Sequence, residues 1–186
     1  MTLRCKTVGR LIAVVGPSGV GKDSVIAGLQ RRIPDFHLVR RVITRAPELG
    51  GEVYDSVSVA QFHALVQDGA FALHWHAHGL HYGIPVTVKD QLDDGTDCLI
   101  NCSRTALKHA SSVFPRLTVL NITAKQETLT QRLAARGRET KEEMSRRLSE
   151  SAKPLPEGLK VLQLTNDGPL SETIARAAML LQPASV

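Results

Sequence analysis

The feature that most constrains this chain is the run LIAVVGPSGVGKDSVIAGLQ, residues 11–30. LIAVV is a short apolar segment rich in β-branched residues, which reads as a buried strand. KDSVIAGLQRRI has the spacing of an amphipathic helix. Between them, Gly16, Gly19 and Gly21 supply backbone conformations and close approaches that side chains would block. Successive N–H groups can therefore turn inward toward an anion, and the unpaired amides and dipole of the following helix favour negative charge at the same place. Gly16, Pro17, Ser18, Gly19, Val20, Gly21, Lys22, Asp23 and Ser24 together form a phosphate-binding candidate, with Lys22 as a point charge. The usual pattern is GxxxxGK[ST], whose last hydroxyl meets a magnesium ion. Here that position is Asp23.

Strand–helix alternation returns three times. DCLINC (97–102) precedes SRTALKHASSV, LTVLNIT (117–123) precedes KQETLTQRLAAR, and LKVLQLT (159–165) precedes LSETIARAAMLL. Apolar strands alternating with helices predict an α/β fold with a mainly parallel sheet covered on both faces. Two stretches interrupt it. Residues 45–85 hold Gly50 and Gly51, a short helix starting at Ser58 with Gln61 at capping-box spacing, and the polar, aromatic strand ALHWHAH; they read as an insertion. Residues 136–152 form an arginine-rich helix, marked at its start by Thr140 and Glu143 and stopped by Pro154.

Length and composition set the remaining bounds. A chain of 186 residues with 42% hydrophobic and 22% charged residues is expected to form one globular domain, as a monomer or homodimer. No apolar run is long enough for a membrane span, and the N-terminal apolar stretch runs straight into the glycine loop, so a cytoplasmic location is expected. Cys5, Cys98 and Cys102 are odd in number and read as reduced thiols. The net charge of +5 does not by itself indicate nucleic acid. The arginines gather at 40–45 and 132–147 without interleaved aromatics, a pattern that suits small phosphorylated ligands.

Asp23 has two readings. A carboxylate in a helix's first turn is electrostatically favourable and needs no further role. Alternatively, since DCLINC ends in Asn101 and Cys102 where an Asp often organises magnesium, Asp23 supplies that carboxylate and the ion offsets its repulsion from phosphate. In the second arginine group, Arg132 and Arg136 share a helix face, while Gly137 could hinge Arg138, Arg146 and Arg147 as a lid over a transferring phosphoryl group. A solvated charged helix is the alternative. His74, His76 and His78 alternate along ALHWHAH and are expected on one side of a strand, lining a pocket with Tyr82 or facing solvent, rather than forming a zinc site.

LIAVVGPSGVGK, VITRAP, GAFALHWHAHGLHYGIP, LAARGRETKEEMSRRL and the late TND (165–167) occur in an order that resembles the guanylate kinase superfamily over nearly the whole chain. The resemblance implies a P-loop NTPase fold with a five-stranded sheet, an acceptor-binding insertion near 45–85, a lid near 136–152, and Asn166 and Asp167 near the adenine of ATP. ATP and Mg2+ are the implied cofactors. Lys22, Arg136 and Arg147 are the implied catalytic residues, Asp23 the metal ligand, and Arg41, Arg45, Tyr54, His78, Tyr82 and Ser103 the acceptor-side residues.

The family's guanine-reading acids correspond to Leu73 and Ser103 here, so guanine would leave donors unpaired at about 1 to 3 kcal/mol each. Its second phosphate-binding arginine corresponds to Glu48, while Arg40 and Arg41 are added beside Arg45. GPSGxGKDS, RRVITR, ALHWxAHGLxYGIP, NCSR and LAARGRE are similar to the ribose 1,5-bisphosphate phosphokinase branch, which is associated with phosphonate breakdown. That likeness implies an ATP-dependent transfer to a phosphosugar's 1-phosphate. A guanylate kinase with an altered pocket and a non-catalytic protein-interaction module are the alternatives.

Overall fold

A computed structural model describes residues 7–46, 52–136 and 154–182. Five parallel strands form the main sheet: β1 (Leu11–Val15), β2 (His37–Leu38), β7 (Cys98–Asn101), β8 (Leu117–Thr123) and β9 (Val161–Thr165), in the order β2-β7-β1-β8-β9. The continuous apolar run of β1 has its cause in this order. The strand lies at the centre, with Leu11 facing Cys98 on one side and Leu117 on the other, and all five of its residues are buried. Parallel strands covered on both faces need apolar side chains on both.

One face of the sheet carries a core that includes Leu11, Ala13, Val15, Ile100, Val119 and Leu107 of helix α4 (Leu107–Val113). The other buries Ile12, Val14, Leu120 and Ile122 against α1 (Lys22–Arg32) and the C-terminal helix α6 (Leu170–Leu181). Helix α5 (Gln126–Arg136) follows β8. Cys98 and Cys102 are buried free thiols, and burial raises them to about 11 and about 12, so they behave as small core hydrophobes.

A second sheet, ordered β4-β3-β6-β5, comprises β3 (Val42–Ile43), β4 (Asp55–Ser56), β5 (Phe71–Ala77) and β6 (Leu80–Pro85). It takes in Val42, upstream of residue 45. Helix α2 (Val59–Gln67) begins with the expected capping box: Gln61 N–H donates to Ser58 Oγ, and Ser58 N–H donates to Gln61 Oε1 at 2.8 Å. A short α3 (Val88–Asp93) leads from this sheet back to β7.

The histidine pattern differs from expectation. Strand β5 ends at Ala77, and His78 has φ of 52° beside Gly79 at 74°, so His78 occupies the exposed hairpin turn. His74 and His76 alternate with Leu73 and Trp75. Trp75 stacks on Tyr82 at 5.3 Å, on the opposite face from His76, which meets His81 at 4.9 Å. The imidazoles and Tyr82 therefore line different surfaces. On the histidine face, His81 also meets His63 and Phe62 of α2.

The junction of β9 and α6 fastens the glycine loop. Asn166, 3% exposed, donates from Nδ2 to the Val20 carbonyl at 2.7 Å and accepts from the Thr173 hydroxyl at 2.9 Å.

Two measurements follow from this packing. Asn166→Ala leaves the Val20 carbonyl only the long contact from Arg132 at 3.5 Å and the Thr173 hydroxyl only the Pro169 carbonyl at 3.4 Å, and urea unfolding should show a loss of about 1 to 3 kcal/mol. Burial, then repulsion from His76, His63 and His74, holds His81 below its ordinary value of 6.5. The unfolded chain then takes up that proton more readily than the folded one. The associated stability is present above pH 6.5 and is lost as pH falls below it. Tm measured across that range should decline toward acid, and His81→Gln should flatten the decline.

Candidate active site

Parallel pairing brings the C-terminal ends of β7, β1 and β8 to one edge, where open α/β sheets bind ligands. The glycine loop leaves β1 here. At Gly16 a Cβ would lie 2.4 Å from the Ile122 carbonyl oxygen, and Gly21 has φ of 91° with Asn166 Nδ2 2.8 Å from where its Cβ would be. These positions require glycine for close approach and for left-handed backbone. Gly21 caps α1, so the loop and the helix's first unpaired amides meet. Lys22 Nζ donates to the Gly16 and Pro17 carbonyls at 2.9 and 3.2 Å, which holds the ammonium against the loop. The geometry suits a polyphosphate.

Asp23 lies exposed in the first turn of α1. Its Oδ1 accepts from Nδ2 of Asn101, the last residue of β7, at 2.9 Å. The same amide nitrogen donates to Glu52 Oε2 at 3.0 Å. Glu52 in turn receives Arg41 through Nε at 2.6 Å and through Nη2. Arg41 is 8% exposed, and its guanidinium lies 5.0 Å from the centre of the Tyr82 ring. The strand tip that lacks an Asp thus carries an amide donor between two carboxylates.

Arg45 stands over the Tyr54 ring at 4.7 Å and donates from Nε to the Tyr54 hydroxyl at 3.1 Å; that hydroxyl donates to the Ala46 carbonyl. Arg40 is spent on an exposed ion pair with Asp55. Leu73 is fully buried in the core beside Ile84 and Leu107. Ser103 caps the 3-10 turn that precedes α4, accepting from Thr105 N–H at 3.3 Å. His78, in its hairpin turn, is not brought to the Arg41–Tyr82 face.

On the nucleotide side, Asn166 uses both ends of its amide within the protein, and its side chain anchors the loop. Asp167 accepts from Lys125 N–H at 2.8 Å, and that bond, with Thr128, Lys125 and Arg132, holds its carboxyl below the usual range. Arg132 reaches the Val20 carbonyl at 3.5 Å. Arg136 ends α5, while Glu48, Gly137, Arg138, Arg146 and Arg147 lie outside the described residues.

Sequence reasoning missed Glu52 and the positive role of Asn101. Glu52 follows the Gly50–Gly51 pair in the sequence, but nothing local indicates that its partners are 11 and 49 residues away. Among the described residues, no group of three or more His, Cys, Asp or Glu side chains is placed to hold a metal ion, and no helix is long and apolar enough to cross a membrane.

Comparison with known proteins gives the family and the fold. The guanylate kinase family model matches residues 8–169. A ribose 1,5-bisphosphate phosphokinase of Ruegeria sp. is 50% identical over 94% of this chain and 92% of its own length. A protein of the same name from Agrobacterium fabrum is 41% identical over 94% of this chain and 97% of its own. Among solved structures, a guanylate kinase from Anaplasma phagocytophilum superposes with a TM-score of 0.72 at 21% identity, covering 94% of this chain and 86% of that one. The chain belongs to the guanylate kinase family, and within it to the branch formed with the ribose 1,5-bisphosphate phosphokinases.

Proposed function

We propose that this protein transfers the γ-phosphoryl group of ATP to the 1-phosphate of ribose 1,5-bisphosphate, giving 5-phosphoribosyl 1-diphosphate and ADP, within phosphonate breakdown. One observation carries the choice of acceptor within the family. The position that would read guanine from β5 is Leu73, sealed in the core, and the one after β7 is Ser103, engaged as a cap. A ring N–H and amino group would find no carboxylate there, and an unpaired donor costs about 1 to 3 kcal/mol. Arg41 and Arg45, each set against a tyrosine ring, retain the chemistry for phosphate.

The acceptor is its own nucleophile. An ionised oxygen of the 1-phosphate attacks the γ-phosphorus, the new P–O bond forms, and the bond to the β,γ-bridging oxygen breaks so that ADP leaves with the electron pair. No proton has to be removed first, so the protein's contribution is positioning and charge neutralisation. Lys22 and the amides of the glycine loop neutralise charge on the nucleotide phosphates. Arg41 and Arg45, with Tyr54 and Tyr82 fixing their planes, orient the acceptor from the second sheet, so that the stretch near 45–85 serves as the acceptor-binding part. Asp167 holds the turn before α5, and Arg136 and Arg147 are assigned to the lid near 136–152.

Asp23 fits a magnesium ion. It is a hard oxygen donor at the start of α1, oriented by Asn101, and magnesium commonly takes one or two carboxylates and completes its shell with phosphate oxygens and water. Bound there, the ion would offset charge on the β- and γ-phosphates.

The substrate reading is tested by offering Mg-ATP with ribose 1,5-bisphosphate or with GMP and measuring ADP and the phosphorylated product. kcat/KM should be much higher for the phosphosugar, and comparable values would reject the assignment. The metal reading is tested by titrating magnesium against wild type, Asp23→Asn and Asp23→Ser. Asp23→Asn should lower kcat and raise the magnesium requirement, with excess ion restoring part of the rate. If Asp23 serves only the helix dipole, the Ser variant loses about 1 kcal/mol of stability or less and the magnesium curves coincide.

A further inference from the structure

The acceptor-side arginine and the phosphate loop are joined by a continuous chain of polar contacts. Arg41 binds Glu52 through Nε and Nη2, Glu52 Oε2 also accepts from Asn101 Nδ2, and the same Asn101 nitrogen donates to Asp23 Oδ1. Four side chains from four parts of the chain meet: the approach to β3, the segment before β4, the tip of β7 and the start of α1. Arg41 and Asn101 are buried, at 8% and 9% exposure, whereas Asp23 is open to solvent. Asn101 has two N–H bonds on that nitrogen, and both go to carboxylates.

We propose that Asn101 and Glu52 are positioning residues that couple occupancy of the metal-nucleotide site to capture of the acceptor's phosphate. The inference rests on the reading of Asp23 and Arg41 given above. Its physical basis is competition for a limited number of positive and hydrogen-bonding groups. In the free protein, Asn101 divides its two donors between Asp23 and Glu52, and Arg41 is held by Glu52. When a divalent cation takes up the charge of Asp23, that carboxylate needs its amide donor less, and Asn101 serves Glu52 more fully. Glu52 then holds Arg41 less tightly, and the guanidinium meets an incoming phosphate with more of its charge available. The acceptor binds better once the metal-nucleotide is in place, and by reciprocity the metal-nucleotide binds better beside the acceptor. A neutral amide at residue 101 is required for this, since a carboxylate there would face both Asp23 and Glu52 as a third negative charge.

The relay is tested by equilibrium binding on the full chain. The Kd of ribose 1,5-bisphosphate is measured alone, with a non-hydrolysable ATP analogue, and with that analogue plus magnesium. For wild type, the analogue with magnesium should tighten the acceptor by about fivefold or more, and the analogue without magnesium should not. Asn101→Leu keeps the volume and removes the donors; whatever its Kd for each ligand alone, the tightening should fall to about twofold or less. Glu52→Gln should bind the acceptor alone more tightly, because Arg41 is released, and should likewise lose the dependence on magnesium. It decides the question alone if Asn101→Leu does not fold. A merely structural role for Asn101 would lower Tm and leave the tightening factor unchanged, which overturns the relay. A wild type that prefers ribose 1,5-bisphosphate to GMP but shows no tightening overturns the relay alone. A wild type without that preference overturns the acceptor assignment and the relay with it.

Discussion

The site depends on the parallel pairing of β1 with both β7 and β8. Val14 pairs with Asn101, the last residue of β7, and Val15 with Asn121, inside β8, so the strand that launches the glycine loop stops level with two polar residues of its neighbours. A shift of one residue in either ladder would turn these polar side chains to the other face of the sheet. It would also move the Ile122 carbonyl that approaches Gly16. The apolar character of β1 places the strand at the buried centre of the sheet, with all five side chains in the core on one face or the other. The register of its two ladders then sets the phosphate site.

Electrostatics then shape what the apolar frame has aligned. Asp23 and Glu52 converge on Asn101, a neutral residue with two donors, and Arg41 pairs with Glu52. A carboxylate at the phosphate loop would ordinarily oppose an anionic ligand. Here the last residue of β7 is the neutral Asn101, and the acid beside it stands at the loop, in Asp23. The amide left behind satisfies both carboxylates that face it, and Arg41 offsets the more enclosed of the two. The arginine whose plane is fixed by Glu52 and Tyr82 therefore belongs to the same polar cluster as the loop.

Much of the frame was legible because its causes are local. LIAVV, LTVLNIT and LSETIARAAMLL have the bounds of β1, β8 and α6, since an apolar run of strand or helix period bounded by glycine, proline or polar residues carries its own start and stop. Ser58 and Gln61 form the capping box read from their spacing. The histidines illustrate the opposite case. Alternation placed His78 with His74 and His76, but a hairpin turn with positive φ at His78 and Gly79 intervenes, and α2 packs against His81, which lies beside His76.

The sequence by itself determined that a buried strand must run into a glycine loop and a helix, that the sheet must be parallel and two-faced, and that phosphate chemistry must sit where loop and helix meet. These follow from periodicity, glycine conformational freedom and unpaired helix amides, all properties of neighbouring residues. Only the tertiary structure decided which residues complete the site. Asn101 meets Asp23 across 78 residues, and Asn166 meets Val20 across 146. Such contacts arise from the crossover connections of a parallel sheet, which bring strand ends together regardless of their separation in sequence. A polar side chain's role at that edge depends on its neighbours there, and those neighbours exist only once the chain has folded.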